Sequence, residues 1–164
     1  MTGFGVGLLE KGQLRRLQMA ARKTIPIAVA IFLTGCWSIE EWREKVVGHV
    51  WVAKEITGVS AIEGSRVTLV LQTDGTASGW SGCNNYRAPY RLAGETLHFG
   101  AITSQVRPCT GTLAEQARRY LEALGGVEWA GFTREPGLFS DTDLVFCQKQ
   151  LCEESGPLIR FRED

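Results

Sequence analysis

The stretch Ser81-Gly82-Cys83-Asn84-Asn85-Tyr86-Arg87-Ala88-Pro89-Tyr90 constrains what this chain can fold into more than any other. A glycine before a cysteine, two asparagines that tolerate left-handed backbone, and a proline four residues after the second asparagine describe a tight corner between two strands. The cysteine needs a partner. Cys109 is the best placed, because the bridge closes a loop long enough to hold one hairpin and ends just before a well-signalled helix.

Around this corner the apolar pattern has a period of two. Val50 and Val52 flank Trp51, and Val67, Leu69 and Leu71 alternate with Thr68 and Gln72, as expected of strands with one wetter face. Asp74-Gly75 suits a type I′ hairpin turn, because both residues tolerate positive φ. Residues 88–92 and 95–99 form a second hairpin across Ala93-Gly94, and residues 127–133, 142–147 and 158–161 are strand-like. One helix is predicted. Thr112 and Glu115 form its capping box, Leu113, Ala117, Tyr120, Leu121 and Leu124 its core stripe, and Gly125-Gly126 its end. The fold class expected is α+β: a curved antiparallel β-sheet or small, partly open barrel with one main packed α-helix.

The first 35 residues have a different character. Arg22-Lys23 precede the apolar run from Ile25 to Leu33, whose nine residues make about 14 Å of helix, too short for a bilayer core that needs about 20 residues. A charged flank, a short apolar core and small residues read as a signal peptide over residues 1–35, with Met19 the better-placed start. Leu33-Thr34-Gly35-Cys36 resembles the lipobox of bacterial lipoproteins. That resemblance implies a diacylglyceryl thioether on Cys36, cleavage before it and acylation, such as palmitoylation, of the new amine. Residues 36–46 then serve as lipid anchor and tether, with Ser38 and Glu41 forming a short capping box, and residues 47–164 form the domain. Trp37 stands where enteric-type sorting places a retaining aspartate, which by the same resemblance directs the protein to the periplasmic face of the outer membrane.

Of 18 basic and 18 acidic residues, five bases and one acid precede Cys36, leaving 13 against 17 in the mature part. That balance gives no field suited to nucleic acid. Four further cysteines, an even number in an exported chain, point to disulfides. Of the three connectivities, Cys83–Cys109 with Cys147–Cys152 is preferred, because the latter pair encloses only four residues and can bridge the base of a hairpin.

Gly82-Cys83-Asn84-Asn85-Tyr86 with Tyr90, then Leu97-His98-Phe99 and Ile102 seven before Cys109, resemble the META-domain family of HslJ-like heat-shock lipoproteins. The similarity runs from about Val47, through Trp51, to the last strand. Gln105-Val106-Arg107-Pro108 departs from the Thr-Arg-Met-Ala common before the second cysteine, and Ala88 replaces a usual glycine. The resemblance implies a curved antiparallel sheet with a packed helix, an envelope or stress-linked role and no established enzyme activity.

No catalytic constellation stands out. His49 and His98 lack partners at a recognisable spacing, so each reads as a structural or surface residue, and Asp141 and Asp143 lack the calcium-loop pattern and read as turn residues. No cofactor and no metal site is expected. The first functional expectation is a monomeric, non-enzymatic interaction module whose rim of Trp80, Asn84, Asn85, Tyr86, Arg87 and Tyr90 meets an envelope protein. The alternatives are a small-ligand carrier or weak pocket enzyme using a cavity within the sheet, and an inhibitor of an envelope hydrolase.

Overall fold

The structure is a computed structural model that describes residues 40–105, 107–134, 141–148, 152 and 156–164. Cys36, Ser38 and the leader lie outside the described residues. Residues 40–46 form a helix, α1. Strands follow at Val50–Ile56 (β1), Val59–Ser60 (β2), Thr68–Leu71 (β3), Thr76–Trp80 (β4), Asn85–Ala93 (β5), Thr96–Phe99 (β6) and Thr103–Ser104 (β7). The second helix is Gly111–Gly125 (α2), and Trp129–Arg134 (β8), Asp141–Cys147 (β9) and Ile159–Glu163 (β10) complete the chain.

Every pairing is antiparallel, and the sheet closes. The strands β1, β3, β4, β5, β6, β8, β9 and β10 run in ladder order, and β10 returns to β1 with Trp51 opposite Glu163 and Ile56 opposite Ile159. The expected open or partly open sheet is therefore a closed eight-stranded barrel. Eight strands enclose a space that side chains can fill. Leu69, Leu71, Leu97, Leu144, Phe146 and Phe161 do so, each fully buried and each stabilising the fold by roughly 1.5–3 kcal/mol. Phe146 lies edge-on to Phe161 at 5.1 Å. Among the described residues no buried side-chain nitrogen or oxygen lacks a partner.

The seam between β6 and β8 is the thinnest, with one bridge pair, Thr96 opposite Trp129. On the side facing β6, β5 changes partner along its length. Pro89 has no N–H to give on that side, so the β5 ladder passes from β6 at Tyr90–Ala93 to β7 at Tyr86–Arg87, interrupted at Ala88 and Pro89. A Cβ on Gly100 would lie 2.7 Å from the Pro89 ring. The chain from β7 then enters α2, which touches β1, β6 and β10 and closes the end of the barrel where Ile56, Trp80 and Ile159 lie.

The far end is covered by α1. Val46 is fully buried, Trp42 lies 6.4 Å from Phe132, and the Trp51 indole N–H donates to the Val46 carbonyl at 3.0 Å. His49 places its two ring nitrogens 2.6 Å from a Glu163 carboxylate oxygen and 3.0 Å from the Glu44 carbonyl, tying α1 to β10. Residues 40–46, expected as part of a tether, thus belong to the packed body.

Turn chemistry departs from expectation in an orderly way. Asp74 does not take positive φ. Gly75 alone does (+82°), with its N–H donating to Gln72 O and Gln72 N–H to Thr76 O, which is a three-residue loop, a type I turn followed by a left-handed glycine. The double positive-φ turn occurs instead at Thr57-Gly58, between β1 and β2. The capping box is also displaced: α2 starts at Gly111 with Thr110 as N-cap and no side-chain cap, so Thr112 lies in the first turn. Leu113, expected in the core stripe, is exposed, and the buried face is Gln116, Ala117, Tyr120, Ala123 and Leu124, with Leu121 at its edge.

Candidate functional site

The corner between β4 and β5 is built as a double layer. Along β5 the residues alternate, with Asn85, Arg87, Pro89 and Arg91 exposed and Tyr86, Ala88 and Tyr90 buried. Tyr86 and Tyr90, expected on an exposed rim, are core residues, 3% and 7% exposed. Their hydroxyls explain why. Tyr90 donates to the Gln72 carbonyl at 2.6 Å, and Tyr86 donates to the Thr68 carbonyl at 2.9 Å. With that proton committed, the Tyr120 hydroxyl of α2 donates to Tyr86 at 2.6 Å, so one hydrogen-bonded chain joins helix, β5 and β3. Because Tyr86 occupies the Thr68 carbonyl, the Trp80 N–H turns to the Thr68 hydroxyl at 3.0 Å.

The corner itself is held three ways. Gly82 takes φ +92°, while neither Asn84 nor Asn85 adopts the left-handed backbone expected of them. The Ser81 hydroxyl donates to the Asn84 carbonyl at 3.0 Å, closing the turn. Cys83 is bridged to Cys109 with 6.1 Å between Cα atoms, and Cys147 to Cys152 with 5.8 Å, so both expected disulfides are present. Asn84 contributes as a staple: its side-chain oxygen accepts the Arg107 N–H at 3.1 Å. Gln105 N–H donates to Asn85 O alongside it.

Burial pushes the Tyr86 phenol well above its ordinary value, against a smaller lowering by the Tyr120 hydrogen bond. Burial also pushes Tyr120 up, with Tyr86 adding to the effect, and burial raises Tyr90. The native state therefore keeps these protons at a pH where the unfolded chain, titrating near 10, loses them. Stability is intact below pH 10 and falls as pH rises above it, by up to about 1.4 kcal/mol per pH unit for each of the two deeply buried phenols, Tyr86 and Tyr120. Urea midpoints between pH 9.5 and 11.5 should show this decline, and Tyr120→Phe should make it shallower by one tyrosine's share. An unchanged slope in that variant would contradict the assignment.

The outer layer carries the exposed chemistry. Trp80 opposite Asn85, Ser78 opposite Arg87 and Thr76 opposite Pro89 face outward, joined by Thr103 opposite Arg87 and His98 opposite Arg91. Asn85, Arg87, Thr103, Ser104 and Gln105 border a shallow groove of about 330 Å³. Arg87 and Arg91 stand about 13 Å apart along one strand. Neither meets a carboxylate among the described residues. On the opposite wall Asp143 lies within β9, not in a turn, and is buried between Lys54 at 3.1 Å and Arg160 at 3.7 Å. Asp141 begins the same strand. His98 is exposed within β6.

A family model for the META domain matches residues 44–150, well over half of the chain and including the corner, both tyrosines and α2. The chain belongs to the META domain family. The match begins inside α1, in keeping with the buried Val46. Among solved structures, this META domain is similar to an NMR structure of a protein from Burkholderia xenovorans, at 24% identity and TM-score 0.53, covering 76% of this chain and 87% of that one. A second NMR structure aligns at 14% identity and TM-score 0.50, covering 73% of this chain and 92% of its own. Those likenesses concern the fold. No curated protein matches the sequence.

Sequence reasoning missed Gln116. It is 4% exposed, accepts the Ile62 N–H at 2.6 Å and donates to the Ser65 hydroxyl at 2.9 Å, fixing the loop between β2 and β3 to α2. A polar residue directly beside Ala117 and one turn before Tyr120 was the available signal.

Proposed function

We propose that this META domain is a lipid-anchored, non-enzymatic interaction module of the bacterial cell envelope, held by Cys36 at the outer membrane and docking an acidic protein surface. The docking face is the outer layer of β4, β5, β6 and β7. One observation carries this reading: Arg87 and Arg91 lie without a carboxylate partner among the described residues, on a face of small polar side chains with the half-buried Trp80 beside them. The mature chain is acidic overall, so this is a local reversal of sign. Arginine and tryptophan are the residues from which docking surfaces draw most of their binding energy. The envelope and stress-linked role rests on the family resemblance and the lipobox.

Photo-crosslinking in intact cells tests this. A photoreactive residue at Trp80 or Asn85 should give a discrete protein adduct, and one at Glu122 on the exposed side of α2 should give none. Arg87→Glu with Arg91→Glu should abolish the adduct while leaving the melting temperature unchanged. Equal labelling from Glu122, or adducts that survive the charge reversal, would reject the face. Mass spectrometry of the mature N-terminus tests the anchor separately, with a diacylglyceryl thioether and an acylated amine on Cys36 expected and an unprocessed leader counting against it.

A further inference from the structure

A second concavity lies on the opposite wall of the barrel, outside the face described above. It is a cleft of about 400 Å³ between β1, β10 and the loop that joins β2 to β3. The interior of the barrel is filled by the buried side chains of its core, and this cleft on the outside has a built wall. The loop is pinned from three directions: Ala61 N–H donates to Lys54 O at 2.8 Å, Ile62 N–H to the buried Gln116 side chain at 2.6 Å, and the Ser65 hydroxyl to Ile62 O at 2.7 Å. Arg66 at its end takes φ +42°, a left-handed backbone that disfavours any residue with a Cβ. A wall fixed in this way needs no ordering when a ligand arrives.

The lining carries charges of both signs, and pairing among the described residues leaves one of each: Arg162 and Glu63. Lys54, Arg66 and Arg162 stand against Glu63 and Asp164. Lys54 is already paired with Asp143, and Arg66 with Asp164. Arg162 has no carboxylate partner among the described residues, and it lies directly opposite Val52 across the β1–β10 ladder. Val52 forms an apolar floor, and Ile62 offers exposed apolar surface beside it. An unpaired guanidinium next to an apolar strip matches a monoanion with a short hydrocarbon tail. A dianion would bring a second charge that Arg162 does not neutralise and that Glu63, on the same lining, repels.

We propose that this cleft binds small aliphatic carboxylates, with the carboxylate on Arg162 and the tail against Val52 and Ile62. The fork of the guanidinium suits a planar carboxylate. This site is independent of the docking face and of any partner found there.

Amide chemical-shift titration of the purified protein with pentanoate, acetate, pentanol and propyl phosphate tests the proposal. Pentanoate should produce saturable shifts at the amides of Val52, Lys54, Ile62 and Arg66. Acetate should bind about fivefold more weakly, because it has lost most of the buried tail. Pentanol and propyl phosphate should give no saturable shift there. Arg162→Gln should weaken pentanoate by about tenfold or more with the rest of the spectrum unchanged, and Ile62→Ser should erase the preference for pentanoate over acetate. Unsaturable or scattered shifts with pentanoate, equal binding of pentanol or propyl phosphate, or an undiminished affinity in Arg162→Gln would each overturn it.

Discussion

Gly79→Ala is expected to destabilise the protein by at least about 3 kcal/mol, enough to leave little folded material at 37 °C. A Cβ at that position would lie 2.8 Å from the Thr68 carbonyl carbon and 2.9 Å from the Tyr86 hydroxyl, and closer still to the Thr68 oxygen. Two of these neighbours are partners in the hydrogen-bonded chain that links β3, β5 and α2. Backbone cannot swing aside, and moving Tyr86 would strand a buried hydroxyl. Thermal and urea denaturation measure the loss directly. Gly94 provides the contrast: it has φ +58° but nothing within 4 Å of its would-be Cβ, so alanine there should cost only about 1 kcal/mol. Equal costs at the two positions would show that crowding at Thr68 costs no more than the left-handed backbone does at Gly94, and would refute the argument for Gly79.

Cys83→Ser combined with Cys109→Ser should cost about 3 kcal/mol, from the chain entropy released when a cross-link spanning 26 residues is cut. Cys147→Ser with Cys152→Ser spans 5 residues and should cost about 2 kcal/mol by the same argument. Against a total stability of roughly 5–15 kcal/mol the first loss is large. The folded state should nonetheless survive in the Cys83/Cys109 variant, because Asn84 still accepts the Arg107 N–H and Gln105 still pairs with Asn85. Reduced wild-type protein should show the two losses together. A Cys83/Cys109 variant no less stable than wild type would mean that these hydrogen bonds, not the bridge, hold the corner.

Much of this was legible in the sequence because local chemistry determines it. The Cys147–Cys152 bridge, the glycine corner, α2 and the alternation of β3 and β5 all follow from spacing within a few residues, and pairing those two cysteines leaves Cys83 to Cys109. The inward direction of Tyr86 and Tyr90 was legible too, since both share the parity of Ala88 and not that of Arg87 and Arg91. Weighing them as contact residues overrode that alternation. Asp74-Gly75 was ambiguous in principle: the dipeptide serves a two-residue or a three-residue loop, and the register of β3 against β4, set by Leu71 opposite Ala77, selects the latter. Closure of the barrel left no local mark, because Trp51 and Glu163 meet from the two extremes of the domain. The position of Gln116 beside the apolar stripe was legible but its partners were not, because they lie in a loop some fifty residues earlier in the chain.

The partnership of the first strand with the last has a temporal consequence. A chain that emerges N-terminus first, from a ribosome or across a membrane, presents β1 early and its partner at Ile159–Glu163 last. Until those final residues arrive, β1 has an open edge on that side, and the wall that carries Val52 and Lys54 has no second bank. Such an edge is the part of a nascent sheet most open to capture by another strand. Completion is therefore a late, all-or-none event set by the arrival of the last turn of chain, and a nascent domain stalled ten residues short should be readily proteolysed although most of its strands have already been made.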